Sequence, residues 1–129
     1  MDLYNIKNNN ISIKVHSNFI RDRSLPEKSI FLFSYDVVIE NKNLFNVQLL
    51  SRYWHIQDGD GKVEEVRGPG VIGLQPMIKA GGVFKYSSIC HLKTPFGVMK
   101  GSYEMKRDSK DIFEAKISTF ILRADDYVN

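Results

Sequence analysis

A chain of 129 residues that is 43% hydrophobic and 26% charged has the size and balance of one folded domain, which excludes intrinsic disorder. Its one cysteine, Cys90, excludes an intrachain disulfide and fits a reducing compartment. The net charge of +3 is supplied by residues 65–129 without a basic block, and no stretch is long and apolar enough to span a bilayer, so neither nucleic acid nor a membrane is the expected partner.

The first ten residues, MDLYNIKNNN, form a polar lead-in without the basic-then-apolar order of a secretory signal, which makes the cytoplasm the expected location. Residues Ile11 to His16 alternate apolar and polar side chains with the period of a half-buried strand. Asn18 to Lys28, with mixed charges and Pro26, reads as a loop. The stretch IFLFSYDVVIE (residues 30–40) is rich in β-branched and aromatic residues, which favours a central strand over a helix. A turn at 41–43 leads to a second long strand, about Val47 to Ile56. Both of its faces carry apolar residues. The expected inward parity holds Leu50, Trp54 and Ile56, with Arg52 reaching the strand's flank or a local carboxylate.

Asp58-Gly59-Asp60-Gly61 is a strong hairpin signal and predicts a short return strand over 62–66. Leu74 to Ile78, interrupted by Pro76, is expected to be an edge strand or extended connection. After the Ala80-Gly81-Gly82 turn, residues 83–92 alternate again, with Phe84, Tyr86, Ser88 and Cys90 on one side. The turn at 94–97 introduces a strand over 98–105. A charged turn at 106–110 precedes the last strand, 112–122, whose alternation slips near Thr119 and predicts a bulge. Short strands separated by turns, with no helical window, point to an antiparallel sandwich or barrel, and the one polar face that most strands carry favours the sandwich.

Gly68-Pro69-Gly70-Val71-Ile72-Gly73 matches the letters of a dinucleotide-binding fingerprint. That mechanism also requires a following helix to receive the pyrophosphate, and Pro76 stops any such helix as it begins. The glycines therefore predict a β connection. An anion-binding loop at Arg67, Gly68, Gly70 and Gly73, helped by Arg52 and Lys79, is the chemical alternative. Asp58 and Asp60 lack the spacing of a calcium loop, and His16, His55 and His91 are dispersed, so no metal site or cofactor is expected. Cys90 shares its parity with Phe84 and Tyr86 and reads as a buried thiol. No serine, histidine or carboxylate arrangement specifies a catalytic centre.

Arg52-Tyr53-Trp54, Asp58 with Gly61, Val66 through Gly73, Pro76, Gly81, Phe84-Tyr86-Ser88, Gly97 and Met99-Gly101-Tyr103-Met105 together resemble the ApaG family. The likeness runs from about Ile11 to Leu122, within one domain over 1–129. It implies an immunoglobulin-like or fibronectin type III-like sandwich in a small bacterial cytoplasmic protein. It also implies a link to cobalt tolerance and magnesium handling, and a role in protein interaction. It supplies no catalytic residue. The expected function is a non-enzymatic module that binds a protein partner, with a homodimer open as an assembly. The alternative is phosphate, pyrophosphate or nucleotide binding at the Gly68–Gly73 loop.

Overall fold

Phe33, Val37 and Ile39 are fully buried in the computed structural model, which describes residues 8–108 and 111–128. They lie on β2 (Phe31–Asn41), which pairs antiparallel with β1 (Ile11–Phe19) and with β6 (Val83–Leu92) in a three-stranded sheet. The facing sheet has the order β4 (Val63–Pro69), β3 (Val47–Asp58), β7 (Phe96–Arg107), β8 (Ile112–Arg123), with the two-residue β5 (Met77–Ile78) also paired to β3. The result is an antiparallel immunoglobulin-like, fibronectin type III-like β-sandwich, in agreement with the strand pattern. Of the polar lead-in and the 106–110 turn, residues 1–7, 109 and 110 lie outside the described residues.

Between the sheets, Trp54 meets Tyr35, Tyr103 and Phe120 edge-on, with ring centroids 5.4, 6.4 and 5.9 Å away. Offset and edge geometries of this kind place the positive ring edge on a neighbour's negative face.

Several elements differ from the sequence expectation, each for a local reason. β1 continues to Phe19, because Phe19 packs on Phe33 of the neighbouring strand, and the segment read as a loop then makes 3-10 turns at Arg21–Arg23 and Pro26–Lys28. β4 runs on to Pro69, held in register by Arg52 opposite Gly68. The parity of β3 is not single. Its pairing with β7 shifts between Leu49 and Ser51, so Leu50 is the extra residue of a bulge. A one-residue insertion exchanges the two faces of a strand. Val47 and Leu49 are therefore buried before the bulge and Trp54 after it, while Leu50 is only partly covered. The slip expected in the last strand is present: Met99 pairs with Phe120 and Gly101 with Ile117, which leaves Ser118 and Thr119 opposite Lys100 alone.

One flank of the sandwich is closed. β8 lies against β1, and side chains bridge the two sheets there. Asn8 Oδ1 accepts the Lys116 N–H at 2.6 Å while its Nδ2 donates to the Lys116 carbonyl at 3.0 Å. Asn9 Nδ2 donates to the Glu114 carbonyl and Ser17 Oγ to the Ile121 carbonyl. Asparagine side chains that present one donor and one acceptor to the same residue imitate a β-ladder partner.

Candidate functional site: a latched glycine loop and an open strand edge

After the bulge, Arg52 shares the inward parity of Trp54 and stands opposite Gly68. The guanidinium lies over that glycine so closely that an added Cβ would sit 3.0 Å from both terminal nitrogens. Arg52 Nη1 donates to the carbonyls of Pro69 and Gly70, at 3.0 and 3.1 Å. Its partners are backbone carbonyls, where the sequence suggested a strand flank or a carboxylate.

The chain then turns back on β3. Gly70, at φ +60°, donates its N–H to the Leu50 carbonyl at 2.8 Å, and Gln75 Nε2 donates to the same carbonyl at 2.9 Å. Val71 and Leu74 exchange both backbone hydrogen bonds, with Ile72 and Gly73 at φ +44° and +77° between them. Two positive-φ residues closed by such a pair make a two-residue hairpin of the I′ type. The bulge carbonyl thus anchors the glycine loop, and the amides of Gly70, Val71 and Leu74 are all engaged within it.

The proposed anion-binding residues are spread over the two faces of β4, with Lys79 farther along the sheet. Arg52, Gly68 and Gly70 are together, with Gly73 at the hairpin tip. Arg67 is on the opposite, outer face of the sheet, its guanidinium 4.2 Å above the Tyr53 ring and 3.6 Å from Glu65. The Tyr53 hydroxyl donates to Glu65 at 2.9 Å, and this bond raises the tyrosine pKa. Lys79 follows Ile78, which pairs with Val47, whereas Arg67 pairs with Tyr53. Six strand residues separate those positions, roughly 20 Å along the sheet. Arg67 also lines a surface groove of about 770 Å³ that Arg52, Gly68, Tyr53, Glu104 and Glu114 line with it.

Burial governs the other titratable groups. Cys90 is buried and its thiol is pushed up to about 12. The Tyr86 and Tyr103 hydroxyls bond to each other between the sheets, and burial raises both above the ordinary tyrosine value. On the outer face of the small sheet, Ser87 donates to Asp36 at 2.5 Å, and His16 stands opposite Asp36 on β1. The carboxylate is between the serine and the imidazole, so the order needed to activate a serine is absent from this row. Among the described residues, no group of three or more His, Cys, Asp and Glu side chains is placed to hold a metal ion, and no helix is long and apolar enough to cross a membrane.

A further feature, the free edge of β6, has little signature in the alternation of residues 83–92. The bonds Ile20 N–H to Leu32 O and Asn41 N–H to Gly82 O fix the phase of the β2 ladders. In an antiparallel pair, alternate residues bond inward and outward. The even-numbered residues of β6 therefore bond to β2, and Val83, Lys85, Ser87, Ile89 and His91 turn their N–H and C=O groups away from the sheet. Among the described residues only the His91 carbonyl has a partner there, the Cys90 thiol at 4.0 Å. The β4 edge is defended by Glu64, Glu65 and Arg67 and ends in Pro69, which has no donor.

A family model for the ApaG domain matches residues 21–107. Protein ApaG of Beijerinckia indica is 44% identical over 120 residues, which cover 93% of this chain and 92% of the relative. The solved X-ray structure of the structural-genomics target SoR45 superposes with a TM-score of 0.88 at 37% identity, over 95% of this chain and 92% of that one. A Bordetella pertussis structure described as an ApaA protein gives 0.87 at 36%, over 89% of this chain and 94% of that one. Fold, glycine loop and these matches agree, and the chain belongs to the ApaG family.

Proposed function

We propose that this chain is a small, non-enzymatic cytoplasmic module that binds a protein partner by taking an extended segment as an added strand on β6. The observation that carries this reading is the row of backbone groups on Val83, Lys85, Ser87 and Ile89 that have no partner among the described residues. A strand edge offers alternating donors and acceptors in the spacing of another strand, so main-chain bonds supply affinity and side-chain pockets supply selectivity. Val83 and Ile89, 52% and 48% exposed on the same edge, add apolar surface for the incoming segment. On this reading the family's link to cobalt tolerance and magnesium handling passes through the partner, since the chain gathers no ligand set of its own among the described residues.

The test is selection of extended peptides from a random library on the wild-type chain, followed by binding to Ser87→Pro. Proline at an edge-facing position removes one donor and obstructs pairing, yet an edge strand tolerates it. Selected peptides should lose at least tenfold in affinity for the variant while its circular dichroism stays that of wild type. Peptides that bind both proteins equally would refute the reading.

A second reading, pyrophosphate or nucleotide binding beside the glycine loop, is favoured by one observation: the Arg67 side chain is 72% exposed and lines a groove together with Arg52 and Gly68. Its signature is saturable heat on titration with pyrophosphate, diminished in Arg67→Ala. Heat of dilution alone at millimolar ligand removes it.

A further inference from the structure

We infer that β6 also accepts a second copy of itself, two chains pairing antiparallel about a two-fold axis at Ser87 into one six-stranded sheet. The inference rests on the strand-addition reading in that it uses the same edge.

Two-fold pairing of a strand with itself restricts the register, because residues opposite each other must point to the same face. With Ser87 on the axis, Lys85 stands opposite Ile89 of the second copy and Val83 opposite His91. The five outward-bonding residues, Val83, Lys85, Ser87, Ile89 and His91, then exchange two backbone bonds per opposed pair, ten in all. No cation faces another. Moving the axis to Ser88 keeps the faces matched but opposes only Lys85, Ser87, Ile89 and His91, leaves Val83 out of the ladder and so gives eight bonds instead of ten.

Pairing in this register also covers exposed apolar surface. Val83 and Ile89 each gain a cross-strand neighbour. On the inner side Phe84, packed on Tyr86 at 6.1 Å and only half-buried in the single chain, comes opposite Cys90 of the second copy. Asp36, bonded to Ser87, brings a carboxylate to within two strands of the second copy's Lys85. The other flank of this sheet is taken by β8 lying on β1, so β6 is the side at which a neighbour is accommodated. A ten-residue strand edge buries less than a standard protein interface, so the dimer is reversible and forms at micromolar or higher concentration.

Sedimentation velocity on the full chain from micromolar to millimolar concentration tests the register. Wild type should pass from monomer to dimer with rising concentration. Ile89→Glu places a carboxylate opposite each Lys85 and should tighten the dimer roughly threefold or more; Ile89→Lys sets cation against cation and should loosen it by a similar or larger factor. Ile89 is an exposed outer-face position, and wild-type circular dichroism in both variants verifies the fold. A chain that stays monomeric throughout, or a dimer indifferent to both substitutions, overturns the inference. Failure of strand addition itself is read separately, from peptide binding and its loss in Ser87→Pro.

Discussion

Gly68, Gly70 and Gly73 meet three different demands, and substitution separates them. Gly68 makes room for the Arg52 guanidinium. Gly70 combines a positive φ with an approach in which an added Cβ would lie 2.1 Å from the Leu74 carbonyl oxygen. Gly73 has a positive φ and open space around it. Gly70→Ala should therefore cost about 3 kcal/mol or more, through contact and strain together, and Gly73→Ala about 1 kcal/mol, through strain alone. Urea unfolding of the two variants measures the difference. Ile72 gives the opposite sign. A β-branched residue at φ +44° is strained, and I′ turns favour Asn before Gly, so Ile72→Asn should stabilise the chain by about 1 kcal/mol. The letters of this motif were plain in the sequence, and Pro76 was enough to separate them from a dinucleotide fold. Their reason was not legible there, because it lies in Arg52, sixteen residues before Gly68, and in a bulge that no local pattern marks.

At the level of elements, strands whose two faces differ in polarity could be read directly. Residues 83–92 alternate cleanly and coincide with β6. The slip near Thr119 showed as a break in alternation and is a bulge. β3 was harder, since Leu49, Leu50, Tyr53 and Trp54 put apolar residues on both faces, and two half-correct parities join only at Leu50. Pairing across the sandwich has no sequence signature either. Nothing in the letters of Asn8 announces that its side chain completes a ladder with Lys116, 108 residues later. The edge of β6 was equally hidden. Which strand lies at the edge depends on sheet order, and sheet order is set by contacts remote along the chain. The grouping expected around Arg67 rested on sequence proximity; Arg67, Gly68 and Arg52 do line one groove, while the pleat turns the Arg67 side chain to the face of β4 opposite the Arg52 guanidinium.

For the molecule as a whole, the buried acids make stability depend on alkaline pH. Cys90 ionises at an ordinary value of 9.0 when unfolded and at about 12 when folded. Below pH 9 both states keep the proton and the contribution is intact. Above it the unfolded state releases a proton that the folded state retains, so stability falls until about pH 12. Each such group costs about 1.4 kcal/mol per pH unit across its window. Tyr86 and Tyr103, raised from 10.0, join one unit later. The urea midpoint should fall from about pH 9, and Cys90→Ala should delay the onset to about pH 10. The informative quantity is the slope, because the substitution also changes packing.

The closed flank at Asn8, Asn9 and Ser17 has one more consequence. Exposed strand edges on both sides of a sheet let each added molecule present a fresh template, and growth runs on into fibres. In the three-stranded sheet β8 already occupies the β1 side. A strand laid on β6 is therefore the last that sheet accepts, and the surface that invites pairing is also built to terminate it.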